Sequence, residues 1–209
     1  MVKFGTSGLR GLAVDLTHAV VFAHVDAFLR AVPSAGDVLI GQDLRDSSPR
    51  IAASVAAACI AQGRTPIDCG VLPTPALALA SESRGLAAIM VTGSHIPADR
   101  NGLKFYSPRG EITKADEAAI LGALSDAVPP FAGVDMMSDP SVQQAFQQRY
   151  ADFYAGQPLK GLRIGVYQHS SVARDLLPRL LEAAGASAVA FERSDNFVPI
   201  DTEALDAET

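Results

Sequence analysis

The spacing of apolar and polar positions changes period several times along the chain. Between Leu16 and Val32 the apolar residues Val21, Val25, Phe28 and Val32 fall at helical intervals, which predicts a helix with one buried face. Residues 37–43 (DVLIGQD) then read as a buried strand. Ser47 or Ser48 ahead of Pro49 predicts a helix start, because serine can cap and proline is tolerated in a first turn. The Ala-rich run that follows should stay helical to Gln62 and stop at Gly63. Residues 66–70 form the next predicted strand, 71–75 (VLPTP) a rigid loop, 76–84 a helix, and 86–93 (LAAIMVTG) the most apolar strand. Strand, helix, strand, helix, strand predicts an α/β fold with a parallel, doubly wound sheet.

Beyond it, the pattern predicts a short strand at 101–106 and a helix from about Lys114 to Ala127. Residues 128–140 (VPPFAGVDMMSDP) carry Pro and Gly without periodicity and predict a domain boundary. A helix with Phe146, Tyr150, Phe153 and Tyr154 on one face follows, then a strand at 162–168, a helix at 172–184 and a strand at 187–192. The expected organisation is a first domain over 1–130, a linker over 131–140, and an incomplete second α/β domain over 141–209. A lone βαβ unit cannot cover both faces of its own sheet, so positions such as Val166 and Val189 are expected to be under-covered or buried in a neighbouring copy.

Composition narrows the picture. Of the 209 residues 48% are hydrophobic and 19% charged, enough for a packed core, and the absence of Trp with only 6% aromatics favours helices on a sheet over a β-sandwich. The net charge of −6 is uneven, because Asp195, Asp201, Glu203, Asp206 and Glu208 crowd the last fifteen residues without a base. The rest is nearly neutral, which gives no nucleic-acid footprint. Cys59 and Cys69 are too few for a disulfide framework or a metal cluster and read as buried free thiols. The N-terminus lacks an apolar signal core and no run of about eighteen apolar residues occurs, so the expectation is a cytoplasmic chain without a membrane partner.

Three segments carry candidate chemistry. In Gly5-Thr6-Ser7-Gly8-Leu9-Arg10-Gly11, backbone amides, two hydroxyls and a guanidinium could converge on an anion; a plain N-terminal turn is the alternative. Thr92-Gly93-Ser94-His95-Ile96-Pro97 follows the most apolar strand, where ligands of open α/β sheets bind. Gly93 permits a sharp turn that would project Ser94 into the crevice. A Ser beside a His invites a hydrolase reading, but adjacent residues rarely form a nucleophile–base pair and the G-x-S-x-G elbow is absent; a polar turn is the other alternative. Asn101-Gly102-Leu103-Lys104 could fold back and bring the Lys104 ammonium near Ser94. Asp43-Leu44-Arg45 and Arg50 would add cations to the same sheet edge.

Together these segments resemble the α-D-phosphohexomutase superfamily, the phosphoglucomutase and phosphomannomutase group. KFGTSGLRG is similar to its opening motif, and VTGSHIPADRNGLKF to its active-site loop, usually T-(A/G)-S-H-N-P-x-x-x-N-G-x-K. GQDLRDSSPR and GVLPTPAL resemble its intervening strand–helix junctions, in the right order across roughly residues 1–130. The wording of the serine loop looks more like bacterial phosphomannomutases than the phosphoglucosamine branch. The resemblance implies interconversion of hexose 1- and 6-phosphates, of mannose or glucose, through a phosphoserine at Ser94 and a bisphosphorylated sugar. It further implies Arg10 and Lys104 flanking the reacting hydroxyl, His95 beside the phosphate, and Thr6, Ser7 and Asn101 as phosphate- or substrate-binding residues. Mg²⁺ is implied as cofactor, reached here through the phosphate of Ser94. Ile96 departs from the usual Asn. The family's Asp-Gly-Asp-type metal loop and its later sugar- and phosphate-reading loops do not occur in these residues. The chain is therefore expected to be an N-terminal fragment, inactive alone, whose partners are the missing C-terminal domains, with a dimer left open. A non-catalytic anion-binding or assembly domain built on the same fold is the competing expectation.

Overall fold

A computed structural model describes residues 2–5 and 8–198. The central sheet contains the three strands of the predicted parallel pattern and an antiparallel wing that the periodicity did not show. Its parallel part is built from β3 (Val38–Gln42), β4 (Pro66–Val71) and β5 (Ala87–Val91), with β3 in the middle. Their residues are almost wholly buried, as strands covered on both faces must be. Helix α1 (His18–Ala31) and α2 (Ser48–Ala61) pack on one face; α3 (Thr74–Arg84) packs on the other.

The antiparallel wing begins where β6 (Arg100–Ser107) returns beside β5, then pairs with β2 (Gly8–Leu12), which pairs with β1 (Lys3–Gly5). Glycine-punctuated, aperiodic sequence concealed β1 and β2. A short β7 (Gly110–Glu111) pairs with β6. Helix α4 (Lys114–Gly122) begins with a reciprocal capping box between Thr113 and Asp116 and ends five residues before the expected Ala127.

The segment 131–140, expected as a linker, contributes β8 (Met137–Ser138), which extends the parallel sheet along β4. Helix α5 (Ser141–Phe153) then packs Val142 and Phe146 against α3, inside the core of the first sheet. Unpaired backbone on the β4 edge and a half-apolar helix face explain why this region docks instead of dangling. The remaining elements are β9 (Arg163–His169), α6 (Leu176–Ala183) and β10 (Ser187–Arg193), with β9 and β10 parallel. Of the two positions expected to be under-covered, Val166 is buried beneath α6, and Val189 is 37% exposed on the open face of this small sheet. Among the described residues, no helix is long and apolar enough to cross a membrane. The C-terminal acids Asp201 to Glu208 lie outside the described residues.

Two cores result. Phe28 and Phe105 are fully buried in the first, with ring centroids 5.0 Å apart. Leu39, Leu77, Met90 and Phe146 belong to the second. Both cysteines are free and buried, as expected, and burial pushes each thiol up to about 12.

Two outcomes follow from this packing. Phe105→Ala should lower the unfolding free energy by about 3–5 kcal/mol in urea titration, whereas Phe191→Ala, at a half-exposed site, should cost less than about 1 kcal/mol. The folded state keeps the Cys59 and Cys69 protons that the unfolded chain releases above the ordinary thiol value of 9.0. Unfolding therefore releases protons in that range, and stability should fall as pH rises from about 9 toward 12. A flat thermal midpoint over that window, or alkylation of either thiol at pH 8 before unfolding, would contradict the assignment.

Candidate functional site

The chain passes from β3 to β4 on one side of β3 and then back to β5 on the other. That reversal opens a crevice beyond the carboxyl ends of β3 and β5, where Asp43 and Thr92 stand. Asp43 is the anchor. Its Oδ1 accepts from the Arg45 backbone N–H (3.1 Å) and the Ser48 hydroxyl (2.5 Å); its Oδ2 accepts from Arg45 Nε (3.2 Å), the Thr92 hydroxyl (2.9 Å) and the Gly93 N–H (3.0 Å).

Arg45 carries the arrangement outward. It is 2% exposed, and its guanidinium donates to the carbonyls of Ser94 (3.2 Å), Ile96 (2.6 Å), Pro97 (2.7 Å) and Arg100 (3.1 Å). Burial lowers its pKa, opposed by the charges of Asp43 and Asp99. The 94–100 loop is thus wrapped around one cation. Gly93 is required there, because a Cβ would lie 2.3 Å from Arg45 Nε. Arg45 and Arg50, expected as cations at this sheet edge, are both committed to backbone carbonyls. Arg45 is engaged by loop carbonyls, and Arg50 donates to the carbonyls of Leu16 and Ala13, both at 2.8 Å. Ser47 and Ser48 are not side-chain caps of α2 either; their hydroxyls accept from Asn101 Nδ2 at 2.8 and 3.0 Å.

On this support Ser94 stands exposed with a left-handed backbone, φ 52°. Its N–H is held by the Thr92 hydroxyl at 2.9 Å, and its Oγ lies 3.3 Å from His95 Nδ1. The hydroxyl is therefore presented to solvent from a backbone it does not help to hold.

The other expected site residues distribute unevenly. Arg10 on β2 lies opposite Gly102 on β6, and Lys104 opposite Met90 on β5, so both basic side chains leave the same face of the sheet. A Cβ on Gly102 would lie 2.5 Å from the Leu9 carbonyl oxygen and 3.2 Å from that of Thr92, so glycine brings β2 and the serine loop together. Neither Arg10 nor Lys104 lines the cleft described below. Asn101, expected to bind phosphate or substrate, is fully buried; its amide donates to Ser47 and Ser48 and its Oδ1 accepts from Gly102 N–H. It ties β6 to the start of α2. Thr6 and Ser7 lie outside the described residues.

A cleft of about 390 Å³ opens in front of the loop. One wall is Asp43, Arg45, Thr92, Ser94, His95 and Ile96; the other is His169 to Val172 after β9, with Phe197 and Val198. Phe197 lies over the Arg45 guanidinium, 4.3 Å from its carbon to the ring centroid. The sequence predicted the strand and helix on either side of this second wall, but not that the loop of this separate βα unit faces Ser94. Mg²⁺ is the cofactor the sequence resemblance implies. Among the described residues no three His, Cys, Asp or Glu side chains gather to hold a metal ion, so these residues do not complete such a site.

Comparison with known proteins gives a consistent picture. The family model described as "Phosphoglucomutase/phosphomannomutase, alpha/beta/alpha domain I" matches residues 1–127. The chain is 50% identical to the phosphomannomutase of Sinorhizobium fredii, over 99% of this chain and 46% of that protein. It is 45% identical to the phosphomannomutase of Salmonella muenchen, over 98% and 43% respectively. Identity to the phosphoglucosamine mutase of Deinococcus deserti is 35%, over 90% of this chain and 45% of the relative. The chain thus spans about half the length of the curated relatives it matches. Among solved structures, a phosphomannomutase-like protein of Thermus thermophilus superposes with a TM-score of 0.73 at 20% identity, over 90% of this chain and 45% of that one; at that identity the likeness concerns the fold.

Removal of the buried guanidinium tests the loop's dependence on it. Arg45→Met should destabilise by about 3–5 kcal/mol, because it leaves Asp43 buried and unpaired. Arg45→Lys should not restore the loop, since one ammonium cannot span four carbonyls. Urea titration gives the stability, and limited proteolysis at residues 94–100 should accelerate in both variants; unchanged cleavage would refute the role.

Proposed function

The chain belongs to the phosphoglucomutase/phosphomannomutase family, and from that premise we propose that the protein is a phosphohexomutase working through a phosphate on Ser94. The observation that carries this reading is the exposed Ser94 hydroxyl, raised on a turn whose N–H and carbonyl groups are already occupied by Asp43, Arg45 and Thr92. Phosphoryl transfer depends on positioning and compensating charge more than on an activated side chain. A serine fixed by its neighbours, with its oxygen free, suits a phosphate carrier.

In the proposed reaction a hydroxyl oxygen of a hexose phosphate attacks the phosphorus on Ser94. The new O–P bond forms as the bond to Ser94 Oγ breaks, and the hydroxyl proton passes to the lone pair of Lys104 as a neutral amine. Arg10, on the same sheet face, offsets charge on the phosphoryl oxygens, and His95 lies beside Oγ at 3.3 Å. Ser94 Oγ leaves and takes up that same proton from the Lys104 ammonium so formed. The bisphosphorylated sugar then turns and gives its other phosphate back to Ser94. Mannose phosphate is the substrate that the names of two relatives support; glucose phosphate is the alternative. Mg²⁺ would supply further charge compensation, but the described residues do not hold one, and no step here is drawn through it. For the same reason we expect residues 1–209 alone to fold without turning over substrate.

Intact-mass and peptide analysis of the freshly purified full-length protein should find one phosphate within residues 92–104, absent in Ser94→Ala, which should also lose turnover. Lys104→Ala should lower kcat by about 10²-fold with a much smaller change in KM. Activity retained by Ser94→Ala, with phosphate on another serine, would remove the reading. A coupled assay of residues 1–209 with Mg²⁺ and a hexose bisphosphate should show no product; clear turnover would overturn the expectation for this chain alone.

A further inference from the structure

The far wall of the serine cleft raises a question the phosphoserine reading leaves open. Among the described residues four non-glycine positions have left-handed backbone: Ser94 (φ 52°), Gln157 (φ 50°), His169 (φ 47°) and Glu192 (φ 51°). Two of the four, Ser94 and His169, line the same cleft. Each stands at or just beyond the carboxyl end of a parallel strand, β5 for Ser94 and β9 for His169. Such backbone is sparsely populated for residues with a Cβ and persists only where surrounding structure imposes it.

The imposition is visible. The His169 carbonyl accepts from Ser194 N–H at 3.0 Å, and His169 is in register with Arg193 on β10. Next along the chain, the Ser170 hydroxyl accepts from Val198 N–H (3.0 Å) and donates to the Val198 carbonyl (3.1 Å). The loop is therefore clamped on both sides of His169. The imidazole packs beside Tyr167, with centroids 5.5 Å apart, and its Nδ1 lies 3.2 Å from Ser170 Oγ. Its Nε2 has no hydrogen-bond partner among the described residues.

Among the described residues lining the cleft, Arg45 is the one Arg or Lys. Arg45 lies in its wall, but its guanidinium is committed to loop carbonyls, and Arg10 and Lys104 approach from a neighbouring part of the sheet. On the far wall, His169 supplies a ring nitrogen, Nε2, that has no partner among the described residues.

We propose that His169 is a phosphate-contacting residue of this site: as an imidazolium, with Nδ1–H donating to Ser170 Oγ, it donates from Nε2–H to a phosphate monoester in the cleft. The inference rests on the mutase reading of Ser94 for its ligand class. The monoester is either the phosphoserine or the phosphate of the bound sugar, and the donor geometry is the same for both. The left-handed backbone is then the means by which β9 aims the ring across the gap at the serine loop.

The test uses the intact protein and two variants. His169→Gly removes the ring from a backbone that glycine adopts freely, and His169→Asn keeps a short donor that tolerates the same φ. Titration with mannose 1-phosphate reads affinity, and the ³¹P resonance of the phosphoserine reads contact with Ser94. His169→Gly should weaken mannose 1-phosphate about tenfold or displace the ³¹P resonance, with a melting temperature within about 3 °C of the parent. His169→Asn should fall between the two. A merely structural His169 would lower the melting temperature and leave both ligand readouts alone. An affinity change assigns the contact to the sugar phosphate, and a resonance change assigns it to the phosphoserine. If neither moves, the proposal is overturned; if His169→Gly does not fold, His169→Asn decides by the same two readouts. Should mass analysis find no phosphate on Ser94, the mutase reading falls separately, and the affinity of the variants still decides the role of His169.

Discussion

A buried ion pair organises this molecule. Asp43 and Arg45, two residues apart at the end of the central strand, are buried beside the crevice, and between them they bind the Gly93 N–H and four carbonyls of the serine loop. The attraction between the charges is largely cancelled by the cost of taking both out of water, so the pair is a poor source of net stability. Its value is directional. Arg45 presents donors in a fixed planar fork, and the 94–100 carbonyls that meet them have one arrangement in which all are satisfied. The loop inherits a single geometry from the guanidinium, and Ser94 is placed by what its neighbours need.

The mixed sheet is the second constraint. After β5 the chain turns around Arg45 and returns antiparallel as β6, whose Gly102 permits β2 to approach. That return brings Lys104 and Arg10, far apart in sequence, onto one face beside the serine loop. A fully parallel sheet would have required a crossover helix at this point and would have carried the lysine away.

The second βα unit closes the site from a distance in the sequence. Its two-stranded sheet buries Val166 of β9 on one face but leaves Tyr167 of β9 and Phe191 of β10 half exposed on the other. At its carboxyl end, the clamped 169–172 loop and Phe197 meet the serine loop across an open cleft. Phe197 on Arg45 links the two walls through the same cation that organises the first.

The sequence by itself determined most of the first sheet, because buried parallel strands and amphipathic helices leave periodic signatures that local physics enforces. The start of α2 at Ser47–Pro49, its stop at Gly63 and the strand before Ser94 were all legible for that reason. The resemblance of the serine loop to a known family was legible too. Strands β1 and β2 were not, since these glycine-rich residues take their extended shape only by pairing with each other and, for β2, with β6. Nor was β8, two residues whose conformation is set by an open edge of β4. The roles of Asp43, Arg45 and Asn101 were decided by tertiary structure alone: a charged or amide side chain reads the same in sequence whether it meets a ligand or a carbonyl. Burial and the partners brought close by chain reversal separate the two, and these depend on contacts dozens of residues away.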